Sequence, residues 1–170
     1  MKLFALLLLL TSFLQTADGV APAPAIRSHC LAQEKVIFSC PTSKTKVVSV
    51  CSSSSLTPTS GYLQYRFGRS GAPPEFIYPT TREHPKKYFQ SGTLMYSGGG
   101  GAYLEFLSGD YKYVIFTGAG KGWEKEGVVV SQSGKQVALL RCQAGPTSEL
   151  GPDFFEKAAI PDAADGFEIP

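Results

Sequence analysis

The sequence predicts an all-β protein, an antiparallel barrel or sandwich of about eight strands with one short C-terminal helix. Three observations support this class. Short runs of aromatic and β-branched residues recur at the spacing of hairpins. Clusters of glycine, proline, serine and aspartate separate these runs, as turns do. The 170 residues include 8 Tyr, 11 Phe, 18 Gly and 12 Pro, which is enough apolar mass for one core and many tight turns.

Eight or nine short runs qualify as strands. They are 36–40, 47–51, 62–67, 75–78, 93–96, 102–107, 111–117, 127–131 and 135–142. The run 62–67 alternates most clearly, with Leu63, Tyr65 and Phe67 on one face and polar side chains between them. Only one helix is predicted. Pro152 suits its first position, and Pro161 ends it.

The chain divides into four predicted segments. Residues 1–19 read as a signal peptide, because Lys2 precedes an apolar run that is too short to span a membrane. Residues 20–29 form a stiff Ala/Pro-rich spacer, 30–160 a single β domain and 161–170 an acidic tail. We therefore expect an exported protein, periplasmic or secreted, with no membrane span.

The charge and cysteine content narrow the function classes. The formal net charge is +2, too near neutral to indicate a nucleic-acid partner. Four cysteines in an exported chain predict two disulfides, for which three pairings are possible. If alternation turns Cys40 and Cys142 inward on their strands, the favoured pairing is Cys40–Cys142 with Cys30–Cys51. The sequence leaves the oligomeric state open.

No set of residues in the sequence predicts catalysis, a metal or a cofactor. The chain has two histidines, His29 beside a cysteine and His84 in a charged loop, and no Gly-x-Ser-x-Gly nucleophile motif. Neither Cys-x-x-Cys nor a histidine pair provides zinc-ligand spacing. The two glycine-rich segments are followed by β sequence rather than by a phosphate-binding helix. We therefore expect a protein that is not an enzyme.

Two neighbouring motifs carry the functional prediction. Ser97 and Gly98 open a glycine run that ends at Tyr103, and Tyr113 opens a strand that ends in Thr117-Gly118. This pair resembles the two signature motifs of the bacterial periplasmic and membrane-bound lysozyme inhibitors, Ser-Gly-x-x-Tyr and Tyr-x-x-x-Thr-Lys-Gly. Here the first loop has two extra glycines. The motif lysine is absent, and Lys121 follows a few residues later.

The resemblance implies a small disulfide-bearing β-barrel that inserts a Ser-Gly loop into the cleft of a lysozyme or another cell-wall hydrolase. Ser97 and Gly98 would contact the two carboxyl groups of the cleft, and Tyr103 would brace the loop. A second flexible loop, containing Thr117, Gly118 and Lys121, would supply the second contact. The resemblance assigns Tyr113 to the same partner-binding set.

Two other functions fit the sequence. In the first, the chain is an envelope structural or interaction protein whose glycines only shape the sheet. In the second, it is a cell-wall carbohydrate-binding module that uses Tyr62, Tyr96 and Trp123 as stacking faces.

Overall fold

The computed structural model describes residues 28–42, 45–143 and 145–170. The predicted signal peptide and most of the predicted spacer lie outside the described residues. None of the helices in these ranges has the length and apolar composition of a membrane span.

Two five-stranded antiparallel sheets form a sandwich, which confirms the predicted all-β class. The first sheet has the order β10-β1-β2-β3-β4. Its strands are β1 Glu34–Pro41, β2 Lys46–Ser53, β3 Leu63–Arg69, β4 Phe76–Tyr78 and β10 Thr147–Ser148. The second sheet has the order β5-β6-β7-β8-β9. Its strands are β5 Gln90–Tyr96, β6 Gly99–Ser108, β7 Tyr111–Gly120, β8 Trp123–Gln132 and β9 Lys135–Arg141.

One short helix, α1, spans Pro152–Lys157 and confirms the prediction for the C-terminal region. Proline stands at its first turn, where no intrahelical N–H is needed. The buried side chains of Phe154 and Phe155 pack α1 onto the core between the sheets. The helix therefore closes one side of the sandwich and directs the chain toward the second sheet.

An aromatic cluster fills the space between the sheets. Tyr113 stacks on Phe106 with ring centroids 4.8 Å apart, and Phe106 stacks on Tyr78 at 4.3 Å. Tyr65, from the facing sheet, lies 5.2 Å from Phe106. Such contacts add to the stabilisation that comes from the buried area itself. The inner face of the second sheet is therefore fixed by rings from both layers.

A second, smaller core lies on the outer face of the second sheet. It consists of the buried residues Tyr103, Val114, Phe116 and Val129. Ala163, Phe167 and Ile169 of the C-terminal segment pack on this face. The predicted acidic tail 161–170 is thus an ordered cover over the sheet.

The two disulfides are Cys30–Cys51 and Cys40–Cys142, the pairing that strand alternation favoured. Cys40 belongs to β1, whereas Cys142 directly follows β9, so this bond joins the two sheets. It links residues 102 positions apart in the chain, and closing a loop of that length stabilises a fold by about 4–5 kcal/mol in the chain-entropy model. Two disulfides in this β fold are compatible with an exported protein.

A buried ion pair organises the outer side of the first sheet. The Arg66 guanidinium donates to both carboxylate oxygens of Glu34, at 2.6 and 2.7 Å. Tyr62 and the Leu31 backbone N–H also donate to this carboxylate, each at 2.7 Å. The side chain of Arg66 is 5% exposed and that of Glu34 is 0% exposed. Because all partners are in place, the pair holds the segment before β1 against β3.

These contacts set the protonation of Glu34. Burial on its own raises the pKa of a carboxyl group, but hydrogen bonds from Arg66, Leu31 and Tyr62 outweigh burial and hold the pKa of Glu34 below 4.5. The network therefore contributes stability above about pH 4.5, and this stability is lost as the pH falls through the lower folded-state pKa.

An Arg66→Met substitution should reverse this pH dependence. Without the guanidinium, burial dominates, so the folded pKa of Glu34 should rise above the unfolded value and the charged form should destabilise the fold. We expect a loss of about 3–5 kcal/mol in unfolding free energy at neutral pH, and the loss should shrink toward pH 4. Urea unfolding at pH 7 and pH 4 measures both values.

Arg82→Met is the matched control, because Arg82 lies 4.0 Å from Glu34 but its side chain is 52% exposed. This change should cost less than about 1 kcal/mol. If Arg66→Met lost the same unfolding free energy at pH 4 and at pH 7, the assigned role of Glu34 would be contradicted.

Candidate functional site

Two turns lie side by side at one end of the second sheet. Ser97-Gly98 connects β5 to β6, and Lys121-Gly122 connects β7 to β8. All four residues are exposed. A Cβ added to Gly98 would lie 3.9 Å from the Cβ of Lys121. We call these four residues the rim. Of the predicted site residues, Ser97, Gly98 and Lys121 belong to it.

The rim turns are tight. Each is a two-residue hairpin loop that places glycine at its second position, with φ of +77° at Gly98 and +81° at Gly122. Their flanking residues pair directly, Tyr96 with Gly99 and Gly120 with Trp123. The turns are therefore anchored on both sides by ladder hydrogen bonds.

The predicted flexible loops are largely strand, and this part of the prediction is wrong. Gly99–Gly101 belong to β6 and Gly118–Gly120 to β7, and the two segments pair with each other. Close packing on the outer face explains the glycines. A Cβ at Gly118 would collide with Cδ1 of Ile169, and a Cβ at Gly120 would collide with the Trp123 indole.

Tyr103 and Tyr113 lie away from the rim, on opposite faces of the second sheet. Tyr103 is 4% exposed on the outer face, where its hydroxyl donates to the Asp165 carbonyl at 3.0 Å. Its ring lies 5.4 Å from that of Phe167. Tyr113 belongs to the aromatic cluster between the sheets. Thus Tyr103 secures the C-terminal tail rather than the Ser-Gly turn, and Tyr113 is a core residue.

Thr117 lies in a cleft on the inner face, behind the rim. Its hydroxyl donates to Glu126 at 3.2 Å. The cleft has a volume of about 320 Å³ and is bordered by Glu124 and by the start of α1. Burial raises the pKa of Glu126, the Glu124 charge raises it further, and the Thr117 hydrogen bond opposes both. Thr117 is therefore a neighbour of the rim, and Gly118 lies beneath Ile169 on the other face.

The outer side of the rim carries an aromatic pair. Tyr96 and Trp123 meet edge to face with ring centroids 5.5 Å apart. Lys125 donates to a main-chain oxygen of Pro170 at 2.8 Å and lies 6.0 Å from the centre of the Trp123 ring. The last residues of the tail thereby reach the edge of the rim. From the sequence, the acidic tail was expected either to be loose or to dock through Phe167 and Ile169, and the structure shows the docked form. The Lys125–Pro170 contact had no signal in the sequence.

The three aromatic residues of the carbohydrate prediction do not form one cluster with each other. Tyr62 donates to Glu34 in the network of the first sheet, and the Arg82 guanidinium lies 5.1 Å from its ring centre. Tyr96 and Trp123 belong to the second sheet. Stacking on a sugar would therefore depend on the Tyr96–Trp123 pair alone.

Among the described residues, the two histidines have different surroundings, and Nε2 of His29 is buried without a hydrogen-bond partner. His84 Nε2 lies 3.0 Å from the Thr57 carbonyl oxygen in an exposed loop. One group of sulfur and carboxylate atoms is compact enough for a metal, Cys30, Glu34 and Cys51. The two sulfurs are bonded to each other, and Arg66 occupies the carboxylate.

Comparison with protein-family models, with curated proteins and with solved structures found no match for this chain. The function is therefore inferred from the geometry of the rim and from the motif resemblance.

Enlarging Gly118 should loosen the tail through Ile169. In Gly118→Ala the new methyl group would occupy the place of Ile169 Cδ1, so the tail should exchange amide hydrogens faster at residues 165–169. We expect a cost of about 1 kcal/mol in unfolding free energy, because a flexible side-chain tip can move partly aside. Hydrogen–deuterium exchange with thermal unfolding measures both effects.

The same change in an Ile169→Ala background provides the control. Ile169→Ala removes the colliding atom, so adding Gly118→Ala should then have little further effect on tail exchange. Additive effects of the two substitutions would show that Gly118 and the tail are not coupled through this contact.

Proposed function

We propose that this protein is an exported, non-catalytic binding protein that inhibits a lysozyme-type glycoside hydrolase by placing the rim in the substrate cleft of the enzyme. The supporting observation is that the Ser97-Gly98 and Lys121-Gly122 turns lie side by side and exposed at one sheet end. The resemblance to lysozyme inhibitors supplies the class of enzyme. The predicted signal sequence and the disulfides agree with export to the periplasm or beyond the cell.

The shape of the rim suits a cleft. Glycine occupies most of positions 99–101 and 118–120 behind the turns, and Ile169 and the Trp123 indole pack closely on their outer face. Four strands at a spacing of about 4.8 Å give a projecting edge of roughly 14 Å. Because the turns are anchored in paired strands, little conformational entropy is lost when they dock.

The chemistry of the rim suits carboxyl groups. A glycosidase cleft has two carboxyl groups on either side of the sugar site. Ser97 offers a hydroxyl donor, and Lys121, whose Cβ would lie 3.9 Å from a Cβ added to Gly98, offers an ammonium group on a long side chain. Lys121 is therefore the second contact in this proposal, in place of Thr117, whose hydroxyl is directed to Glu126.

Substitutions on the rim should weaken inhibition without changing the fold. We expect Ser97→Ala and Lys121→Ala each to raise the inhibition constant by about 10-fold to 100-fold, the usual range for one hydrogen bond to a charged group. The assay is lysis of a cell-wall suspension by lysozymes of several structural classes, with titrated mature protein. Trp123 fluorescence and thermal unfolding should match the wild type.

The opposite end of the same sheet offers matched controls. Ser133-Gly134 is also a two-residue Ser-Gly turn, and Lys135 follows it. Ser133→Ala and Lys135→Ala should leave inhibition unchanged. Absence of inhibition against every lysozyme class by folded wild-type protein would refute the proposed function.

Carbohydrate binding is the alternative that the same assay can separate. The Tyr96–Trp123 pair lies beside the rim and could contact a sugar. Wild-type protein that sediments with cell walls while leaving soluble lysozyme fully active, and loses sedimentation in Trp123→Ala, would replace inhibition with this function.

A further inference from the structure

The four sheet edges of the sandwich are protected unequally. Strand β10 has two residues, and β4 has three and is followed by Pro79. Strand β9 carries Lys135 and Arg141, and its register against β8 is irregular. These are the features by which proteins prevent strands from pairing with other chains. Strand β5 has seven residues, Gln90–Tyr96, and contains neither a charge nor a proline.

The tail covers only the first half of the β5 edge. The Ser91 backbone N–H donates to the Pro161 carbonyl at 2.9 Å, and the Ala163 N–H donates to the Ser91 carbonyl at 2.8 Å. Beyond Ala163 the tail leaves the edge and crosses the outer face toward Tyr103. The edge after Ser91 is thus without a cover from any described residue.

The hydrogen bonds of Ser91 fix the direction of the remaining edge groups. In an antiparallel strand, the N–H and C=O of one residue point to the same side, and the side alternates along the strand. Since Ser91 directs both groups outward, Thr93 and Met95 do so too. Within 28–42, 45–143 and 145–170, these main-chain groups have no hydrogen-bond partner. The side chain of Met95 is also exposed, at 94%.

We propose that the free half of the β5 edge pairs with the same edge of a second copy of this chain, in antiparallel orientation around Met95. With Met95 opposite Met95 of the second copy, each residue donates its N–H to the carbonyl of the other. Leu94 then lies opposite Tyr96 of the second copy, an aliphatic–aromatic cross-strand pair. The two second sheets become one continuous sheet of ten strands.

The length of the free edge favours a second copy over an unrelated strand. In this register, Thr93 lies opposite Ser97 of the second copy, where that chain turns away into β6. The incoming strand therefore ends opposite Thr93, two residues short of Ser91, where the tail already pairs with β5. A longer strand from another protein would meet the tail. The pairing also places no like charges opposite each other.

The contact is short, so the dimer should be weak and reversible. Each copy contributes five residues, 93–97, to the contact. Together they bury less surface than the roughly 1,200–2,000 Å² of a standard stable interface. In sedimentation velocity of the mature chain, we expect the weight-average mass to rise from one chain toward two between about 1 µM and about 1 mM. A protein that stays monomeric over this range would overturn the proposal.

Substitutions at Met95 separate main-chain pairing from side-chain contact. Met95→Pro removes an N–H that points away from the sheet, so it should abolish dimerisation without breaking a bond to β6. Met95→Lys should also give a monomer, because two ammonium groups would face each other across the two-fold axis. Met95→Thr keeps the N–H and a strand-forming residue and should still dimerise.

Circular dichroism and Trp123 fluorescence should show an unchanged fold in all three variants. A Met95→Pro variant that dimerises like the wild type would overturn the proposal, and so would a Met95→Thr variant as monomeric as Met95→Pro. The test does not use lysozyme, so a failure of dimerisation can be distinguished from a failure of inhibition.

Discussion

The near absence of side chains on the ends of two paired strands shapes the end of the second sheet that carries the rim. Gly99–Gly101 of β6 and Gly118–Gly120 of β7 leave the backbone bare on the outer face, and Ile169 and the Trp123 indole occupy the space. The inner face is open for the same reason and forms the cleft that contains Thr117. The close packing of the tail on this end of the sheet and the cleft behind the rim both follow from this pattern.

Glycine in a strand weakens it, by roughly 0.5–1 kcal/mol relative to alanine for each residue. Here the surroundings offset that cost. Both glycine segments are interior strands with partners on either side, and the tail adds Phe167 and Ile169 to the outer face. The same segment would be a flexible loop in isolation. Its order is therefore a property of tertiary structure.

This difference explains what could be predicted from the sequence and what could not. The all-β class and the strands with strong alternation were predictable, because they follow from local pattern. The ends of β6, β7 and β8 were not, since glycine indicates a turn locally and becomes strand only when neighbours pair with it. The Glu34–Arg66 pair was hidden for a similar reason, as alternation assigned Arg66 to a polar face without showing that residues 29–34 cover it.

The separation of Tyr103 from Tyr113 was within reach of the sequence. The hairpin that joins β6 to β7 pairs Ser108 with Tyr111, so Phe106 opposes Tyr113 and Tyr103 opposes Phe116. In this register, residues with odd numbers on β6 share a face with residues that have even numbers on β7. Tyr103 and Tyr113, both odd-numbered, therefore lie on opposite faces. The motif resemblance groups the two tyrosines by spacing alone, whereas strand parity separates them. Only the pair of turns in the resemblance agrees with an exposed partner-binding site.

The rim and the free β5 edge meet at one corner of the sandwich, because Tyr96 ends β5 and Ser97, the next residue, begins the first turn. In the antiparallel pairing, Ser97 of each copy lies opposite Thr93 of the other, so self-association covers half of the rim. Docking into an enzyme cleft and pairing with a second copy therefore exclude each other. Since the self-contact is short and the rim is rigid, a tight-binding enzyme would displace the second copy, and the monomer would be the inhibitory form.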